Sequence, residues 1–103
     1  MDRVAQIKQL LVSSPDDIFL NYALAMEFMS IEDYPQAIHQ LELVKSIQSD
    51  YLPLFYQLAK CYEASNNNPK AIETYEQGMS VAETKNERKT LNELRSALEE
   101  LTF

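Results

Sequence analysis

The sequence repeats at an interval of 34 residues, and this feature limits the fold more than any other. Residues 33–38 read Asp-Tyr-Pro-Gln-Ala-Ile, and residues 67–72 read Asn-Asn-Pro-Lys-Ala-Ile. Moving the whole chain by the same interval aligns further pairs of similar residues: Tyr22 with Tyr56, Leu24 with Leu58, Ala25 with Ala59, Phe28 with Tyr62 and Leu41 with Tyr75. A repeat of this length is typical of arrays in which neighbouring units bury a shared core.

Each repeat is predicted to contain two helices. The first helix of the first repeat runs from about Asp16 to Ser30, with Ser14 or Asp16 as its N-cap. Its apolar residues recur at the helical interval and define one face: Leu20, Leu24 and Phe28. This face is expected to pack against the second helix.

Prolines mark the starts of the following helices. Pro35 and Pro69 fall in the first turn of the second helix of each repeat, where the missing N–H costs nothing. Asp33 is predicted to cap the helix that contains Pro35, which runs to about Ile47. Pro53 opens the first helix of the second repeat, so the order helix, turn, helix occurs twice.

One further helix is predicted at each end of this array. Residues 2–13 resemble an unpaired second helix, whose inward face we expect to hold Val4, Ile7, Leu10 and Leu11. After a polar linker at residues 83–87, an amphipathic helix with a stripe of four leucines is expected to cap the last apolar surface. The stripe consists of Leu91, Leu94, Leu98 and Leu101.

The chain has a single glycine, which excludes several kinds of site and fold. β-Hairpins, dinucleotide-binding fingerprints and P-loops all depend on glycines in tight turns, so an all-α fold is favoured. Gly78 falls inside a predicted helix, where glycine costs about 1 kcal/mol relative to alanine. We therefore expect helices to approach closely at Gly78, and the C-terminal helix to dock there.

The charge balance argues against nucleic-acid and membrane partners. The chain has 9 Lys and Arg against 16 Asp and Glu, giving a net charge of −7 without a basic stripe. Phosphate backbones and anionic membranes repel such a surface. No apolar run approaches the roughly 20 residues that span a bilayer, and the N-terminus lacks the pattern of a signal peptide. We therefore expect an acidic, cytoplasmic protein.

The sequence predicts no catalytic, metal or cofactor site, and hence no enzyme. His39 is the only histidine, and on a solvated helix surface it has no second ligand or base to work with. Cys61 is the only cysteine, which excludes an internal disulfide, and it is predicted to be a buried, unreactive thiol. The paired acids at residues 16–17 and 99–100 are interpreted as charges at a helix start and on a solvated face.

The repeated residues resemble those of the tetratricopeptide repeat family, whose unit of about 34 residues combines large and small side chains across two helices. Departures from the family pattern occur at Asn21, where a large residue is usual, and at Glu32 and Asn66, where a turn glycine is usual. We expect Leu20 or Phe19 to replace the missing packing at Asn21. The matching residues are Leu24, Ala25, Phe28, Ala37, Leu41 and Val44, then Phe55, Leu58, Ala59, Tyr62, Ala71, Tyr75 and Gly78.

This resemblance implies a short right-handed superhelix of about six helices in a single domain spanning residues 1–103. Within it we assign residues 1–14 to an N-terminal helix and residues 88–102 to a capping helix. Residues 18–51 and 52–85 are assigned to the two repeats.

The resemblance also implies a non-catalytic module that binds a protein or an apolar peptide on the concave face of its repeats. The aromatic and apolar character of that face favours such a ligand. A form of the family that grips a peptide carboxylate uses Lys and Asn on this face, and with Lys60 alone that ligand is not expected. The predicted binding residues are Phe19, Tyr22, Met26, Met29, Tyr56, Lys60 and Glu63.

Three interpretations of this face remain open at the level of sequence. The N-terminal helix could cover part of it and bury Phe19 or Met26. A protein or peptide partner could occupy it instead. A second copy of the chain could also occupy it, which would make the protein a self-assembling homodimeric scaffold.

Overall fold

The computed structural model describes residues 2–103, which form six helices joined by short turns. In chain order the helices are α1 (Arg3–Ser13), α2 (Ile18–Ser30), α3 (Tyr34–Ile47), α4 (Pro53–Ala64), α5 (Asn68–Thr84) and α6 (Arg88–Thr102). Residues 2–103 contain no strand, so the prediction of an all-α fold of six helices is confirmed.

The helices divide into two compact units, of which the first ends at Tyr51 and the second runs from Leu52 to Phe103. In the first unit α2 packs against α1 and α3, and in the second α5 packs against α4 and α6. The buried apolar residues of the first unit are Ile7, Leu24, Ala25, Phe28, Ala37, Leu41 and Val44. Those of the second are Leu54, Phe55, Leu58, Ala59, Cys61, Tyr62, Ala71, Tyr75, Ala82, Leu94 and Ala97.

Side-chain caps set the starts of four helices. The N–H of Leu20 donates to Asp17 Oδ1 at 2.9 Å, so α2 is capped by Asp17, and by neither Ser14 nor Asp16 as expected. The same type of cap is made at α1, α3 and α5 by Asp2, Asp33 and Asn67. Each cap satisfies an N–H that has no partner within the helix and contributes about 1 kcal/mol.

The turns confirm that polar residues take the place of glycine. Glu32 and Asn66 both adopt a left-handed conformation with φ of 59°, and Asn86 does so with φ of 58°. Asn86 lies in a tight turn of residues 85–87, because α5 continues to Thr84. The expected linker at residues 83–87 is therefore wrong in its first two residues, which are helical.

Gly78 lies where α5 meets two other helices. A Cβ atom placed there would lie 2.6 Å from Cβ of Phe55 in α4 and 3.1 Å from Cδ1 of Leu94 in α6. The first distance is shorter than carbon atoms tolerate, so only glycine permits this approach, as the sequence predicted. The leucine stripe of α6 docks at the same core, with Leu94 fully buried and Leu91, Leu98 and Leu101 partly buried around it.

Two packing expectations are wrong. Leu10 was expected to face inward but is 58% exposed, because α1 packs against α2 and a single neighbour covers only a narrow face around Ile7. Asn21 is itself buried, and its Nδ2 donates to the carbonyls of Pro15 and Asp17 at 2.9 Å each. The carboxamide thus fills the position of a large apolar residue, and the exposed Phe19 does not replace it.

Candidate functional site

Three aromatic rings meet on the surface of the first unit. Phe19 and Tyr22 lie in the first two turns of α2, and Tyr51 follows α3. The ring centroids of Phe19 and Tyr51 are 6.4 Å apart at 82°, and those of Tyr22 and Tyr51 are 5.5 Å apart at 72°. These are favourable edge-to-face arrangements, so the three rings form one ordered patch, here called the aromatic cluster.

The aromatic cluster is accessible to a ligand. Phe19 is 75% exposed, so α1 does not bury it, while Tyr22 and Tyr51 are half-buried. Met26 and Met29 continue the same side of α2 and keep part of their surface. An aromatic patch extended by two flexible thioethers suits contact with apolar groups of varied shape.

The corresponding face of the second unit is polar and engaged in contacts of its own. Lys60 Nζ lies 5.5 Å from the ring centroid of Tyr56 and 3.6 Å from Glu63 Oε2. The hydroxyl of Tyr75 donates to Glu63 Oε2, and its ring meets that of Tyr56 edge-on at 6.4 Å. Burial first, and then the hydrogen bond and the charge of Glu63, raise the pKa of Tyr75, so its hydroxyl remains a donor.

A cleft of about 590 Å³ opens between α4 and α6 in the second unit, within the usual range for ligand clefts. Tyr56 and Lys60 contribute one wall. The other wall comes from α6, which the sequence interpretation left out of the site. The lining residues are Tyr56, Lys60, Lys89, Asn92, Glu93, Ser96, Ala97 and Glu100.

A signal for the α6 residues is present in the sequence. Its leucines Leu91, Leu94 and Leu98 match the apolar stripe of α4 when the interval is lengthened from 34 to about 36 residues, as a short insertion requires. The same shift carries the surface positions of α4 onto Lys89, Asn92, Ser96 and Glu100, all of which line the cleft. Tyr51 gave no such signal, because it lies outside both predicted helices.

The residues considered for catalysis show no catalytic arrangement. Cys61 is fully buried, as predicted, and burial raises the pKa of its thiol to about 11 because the thiolate is disfavoured there. His39 lies exposed on α3. In the described part of the chain, no three His, Cys, Asp or Glu side chains are grouped so as to hold a metal ion. None of the helices in residues 2–103 has the length and apolar character of a membrane span.

Comparison with solved structures identifies proteins with this architecture. A tetratricopeptide repeat domain protein from Salinibacter ruber is 34% identical; its solution structure gives a TM-score of 0.80 over 85% of this chain and 89% of that chain. A crystal structure under the same description gives 0.78 over 84% and 96%, again at 34% identity. A Bordetella parapertussis protein gives 0.88 over 99% and 89% at 18% identity, and MamA gives 0.73 over 96% and 66% at 20% identity. These two likenesses concern the fold alone. No family model and no curated protein matches the sequence.

Proposed function

The chain belongs to the tetratricopeptide repeat family, and we propose that it is a non-catalytic module whose ligand is a protein or an apolar peptide. Domains of this family are helical-repeat modules that generally bind protein partners. We further assign residues 18–51 and 52–85 to the two repeats of one domain, flanked by helices at residues 1–14 and 88–102.

The observation that carries this proposal is the exposure of Phe19 within the aromatic cluster. Burying a large apolar side chain contributes about 1.5–3 kcal/mol, and Phe19 forgoes most of this in the isolated chain. Its ring is nevertheless held in an edge contact with Tyr51. Ordered aromatic rings lose little conformational entropy on binding, which makes them effective contact residues.

We assign the first-unit contacts to Phe19, Tyr22, Met26 and Met29, and the second-unit contacts to Tyr56, Lys60 and Glu63. The latter three are held in place by each other and by Tyr75, so their polar atoms have fixed directions. Fixed polar groups contribute to the choice of partner, whereas the apolar residues of the first unit supply contact area.

Self-assembly through the same face is the less favoured alternative. The first unit contains three basic and eight acidic residues, so two copies that met face to face would bring like charges together. Light scattering over a range of protein concentrations tests this directly. A constant monomer mass excludes the homodimer, and a concentration-dependent dimer that Phe19→Ala abolishes would establish it.

A comparison of captured proteins tests the binding proposal. The double variant Phe19→Ala with Tyr22→Ala should lose proteins that the wild type retains, with helicity unchanged by circular dichroism. His39→Ala, at an exposed position on α3, is the matched control and should retain them. Equal capture by wild type and the double variant would move the binding surface away from α2.

A further inference from the structure

We propose that the aromatic cluster receives a cationic side chain, arginine or lysine, carried on an apolar segment of a partner protein. This inference rests on the proposed function and adds to it the chemistry of the ligand.

The charge of the first unit supports a cationic ligand. Its eight acidic residues outnumber its three basic residues, and each of the three has an internal contact. Arg3 Nε pairs with Glu27 at 2.9 Å, Lys45 Nζ pairs with Glu42 at 3.1 Å, and Lys8 Nζ lies 5.7 Å from the ring centroid of Phe28. The unit therefore presents a net negative surface to an approaching partner.

Part of this negative charge lies beside the aromatic cluster. Asp16 is exposed in the turn before α2, three residues from Phe19, and Asp50 is exposed and directly precedes Tyr51. An aromatic ring attracts a cation through the negative face of its π system, and neighbouring carboxylates reinforce that attraction. The cluster thus combines the two features that favour a guanidinium or ammonium group.

The chain itself shows this type of contact at the equivalent place in the second unit. Lys60 Nζ lies 5.5 Å from the ring centroid of Tyr56, which stands 34 residues after Tyr22. The residue that corresponds to Lys60 in the first unit is Met26, whose side chain adds apolar surface next to the ring. Such a surface suits the aliphatic stem of an incoming lysine or arginine.

The same charges separate this ligand from the other occupants of the face. A second copy of the chain would add its own acidic surplus, and anionic peptides would meet Asp16 and Asp50. Like charges in contact weaken an association, whereas a basic segment gains from each carboxylate that it approaches.

Nuclear magnetic resonance titration of the isotope-labelled full chain tests the proposal. The probe is a short capped peptide of alternating leucine and arginine, and its matched control has citrulline, a neutral isostere, in place of arginine. We expect shift changes centred on the first half of α2 and on Tyr51, with the arginine peptide binding roughly three- to tenfold more tightly. Raising the salt concentration should reduce this preference.

Variants assign the preference to the cluster. Phe19→Ala should weaken binding of both peptides, Asp16→Asn should reduce the preference for arginine, and Tyr56→Ala is the control from the second unit that should change neither result in the first. Equal binding of the two peptides at the cluster would overturn the cationic ligand and leave the apolar-peptide proposal standing. A preference for arginine that Phe19→Ala leaves intact would place the cation elsewhere and also overturn it. Absence of shifts at the cluster overturns it as well, and the capture experiment then decides separately whether α2 binds proteins at all.

Discussion

Tyr22 and Tyr56 stand 34 residues apart, at equivalent places in α2 and α4, but their surroundings differ. Tyr22 shares an aromatic cluster with Tyr51 and the exposed Phe19, whereas the ring of Tyr56 lies under the ammonium of Lys60. The second unit satisfies the polar groups of its face internally, and the first leaves an aromatic patch open. Because both tyrosines lie on helices whose other sides are buried, the surface chemistry of a unit can change without altering its core.

The cores of the two units differ in a complementary way. In the second unit the large Phe55 packs directly against Gly78. The residues 34 positions earlier are Asn21 and Val44, both buried, so the smaller residue of α2 is matched with the larger residue of α3. The two units therefore reach a closed core by opposite distributions of volume, and the interior density of proteins leaves little room for either to be changed alone.

Truncation at these equivalent positions should have the largest effects. Phe55→Ala removes a ring from a site that is 2% exposed and should lower the free energy of unfolding by about 4 kcal/mol. Asn21→Ala removes two hydrogen bonds to the turn before α2 and should cost about 2 kcal/mol. Urea denaturation monitored by circular dichroism measures both. A cost for Asn21→Ala as large as that of Phe55→Ala would contradict the view that one residue acts by hydrogen bonding and the other by packing.

The reverse change at Gly78 should also destabilise the second unit. Gly78→Ala gains helix propensity but places a Cβ atom 2.6 Å from that of Phe55, and we expect a net loss of about 2 kcal/mol from overpacking. Ser80→Ala, at an exposed position of α5, is the control and should change stability by less than about 0.5 kcal/mol. In the double variant with Phe55→Ala the two costs should not add, because the new methyl group enters the space that the ring vacates. Strict additivity would show that the two residues are not in contact.

The architecture was predictable because it depends on local signals that recur at a fixed interval. The apolar stripes, the prolines and the capping residue Asp33 each indicate where a helix begins and which side it buries. Burial of Asn21 was not predictable, since its partners are carbonyl groups whose direction depends on how the chain turns into α2. The end of α5 was also misplaced, because polar residues such as Glu83 are as compatible with an exposed helix as with a linker.

The candidate site was accessible to sequence only in part. The positions on α2 and α4 follow from helix periodicity, and their role in binding stays a prediction. Tyr51 completes the aromatic cluster from outside the helices, so periodicity could not select it. The wall that α6 contributes to the cleft required the leucine stripe and the surface face to be used together, and only the stripe was used.

The third difference between the cores lies at Leu41 and Tyr75, and it predicts a pH dependence confined to the second unit. The pKa of Tyr75 is raised in the folded chain above its ordinary value of about 10. Its stabilising contribution is therefore complete below about pH 10 and is lost above it, where the unfolded chain releases the proton first. Between about pH 10 and pH 11, wild type should lose about 1.4 kcal/mol more than Tyr75→Phe. Urea denaturation at both pH values measures the difference, and an equal alkaline loss in the variant would exclude Tyr75 as its origin.

The smallest expected difference concerns the turns inside each unit. Glu32 and Asn66 share a φ of 59°, but the left-handed conformation is more costly for glutamate than for asparagine, whose short side chain tolerates it. Glu32→Gly should therefore stabilise the protein by about 1 kcal/mol, and Asn66→Gly by about 0.3 kcal/mol. Thermal and urea denaturation of the two variants measure these gains side by side. Because the backbone hydrogen bonds of Glu32 and Asn66 to the carbonyls of Met29 and Glu63 do not involve the side chains, any difference between the variants reports the cost of the side chain in this conformation. Gains in the opposite order would show that contacts of the Glu32 side chain outweigh its backbone strain.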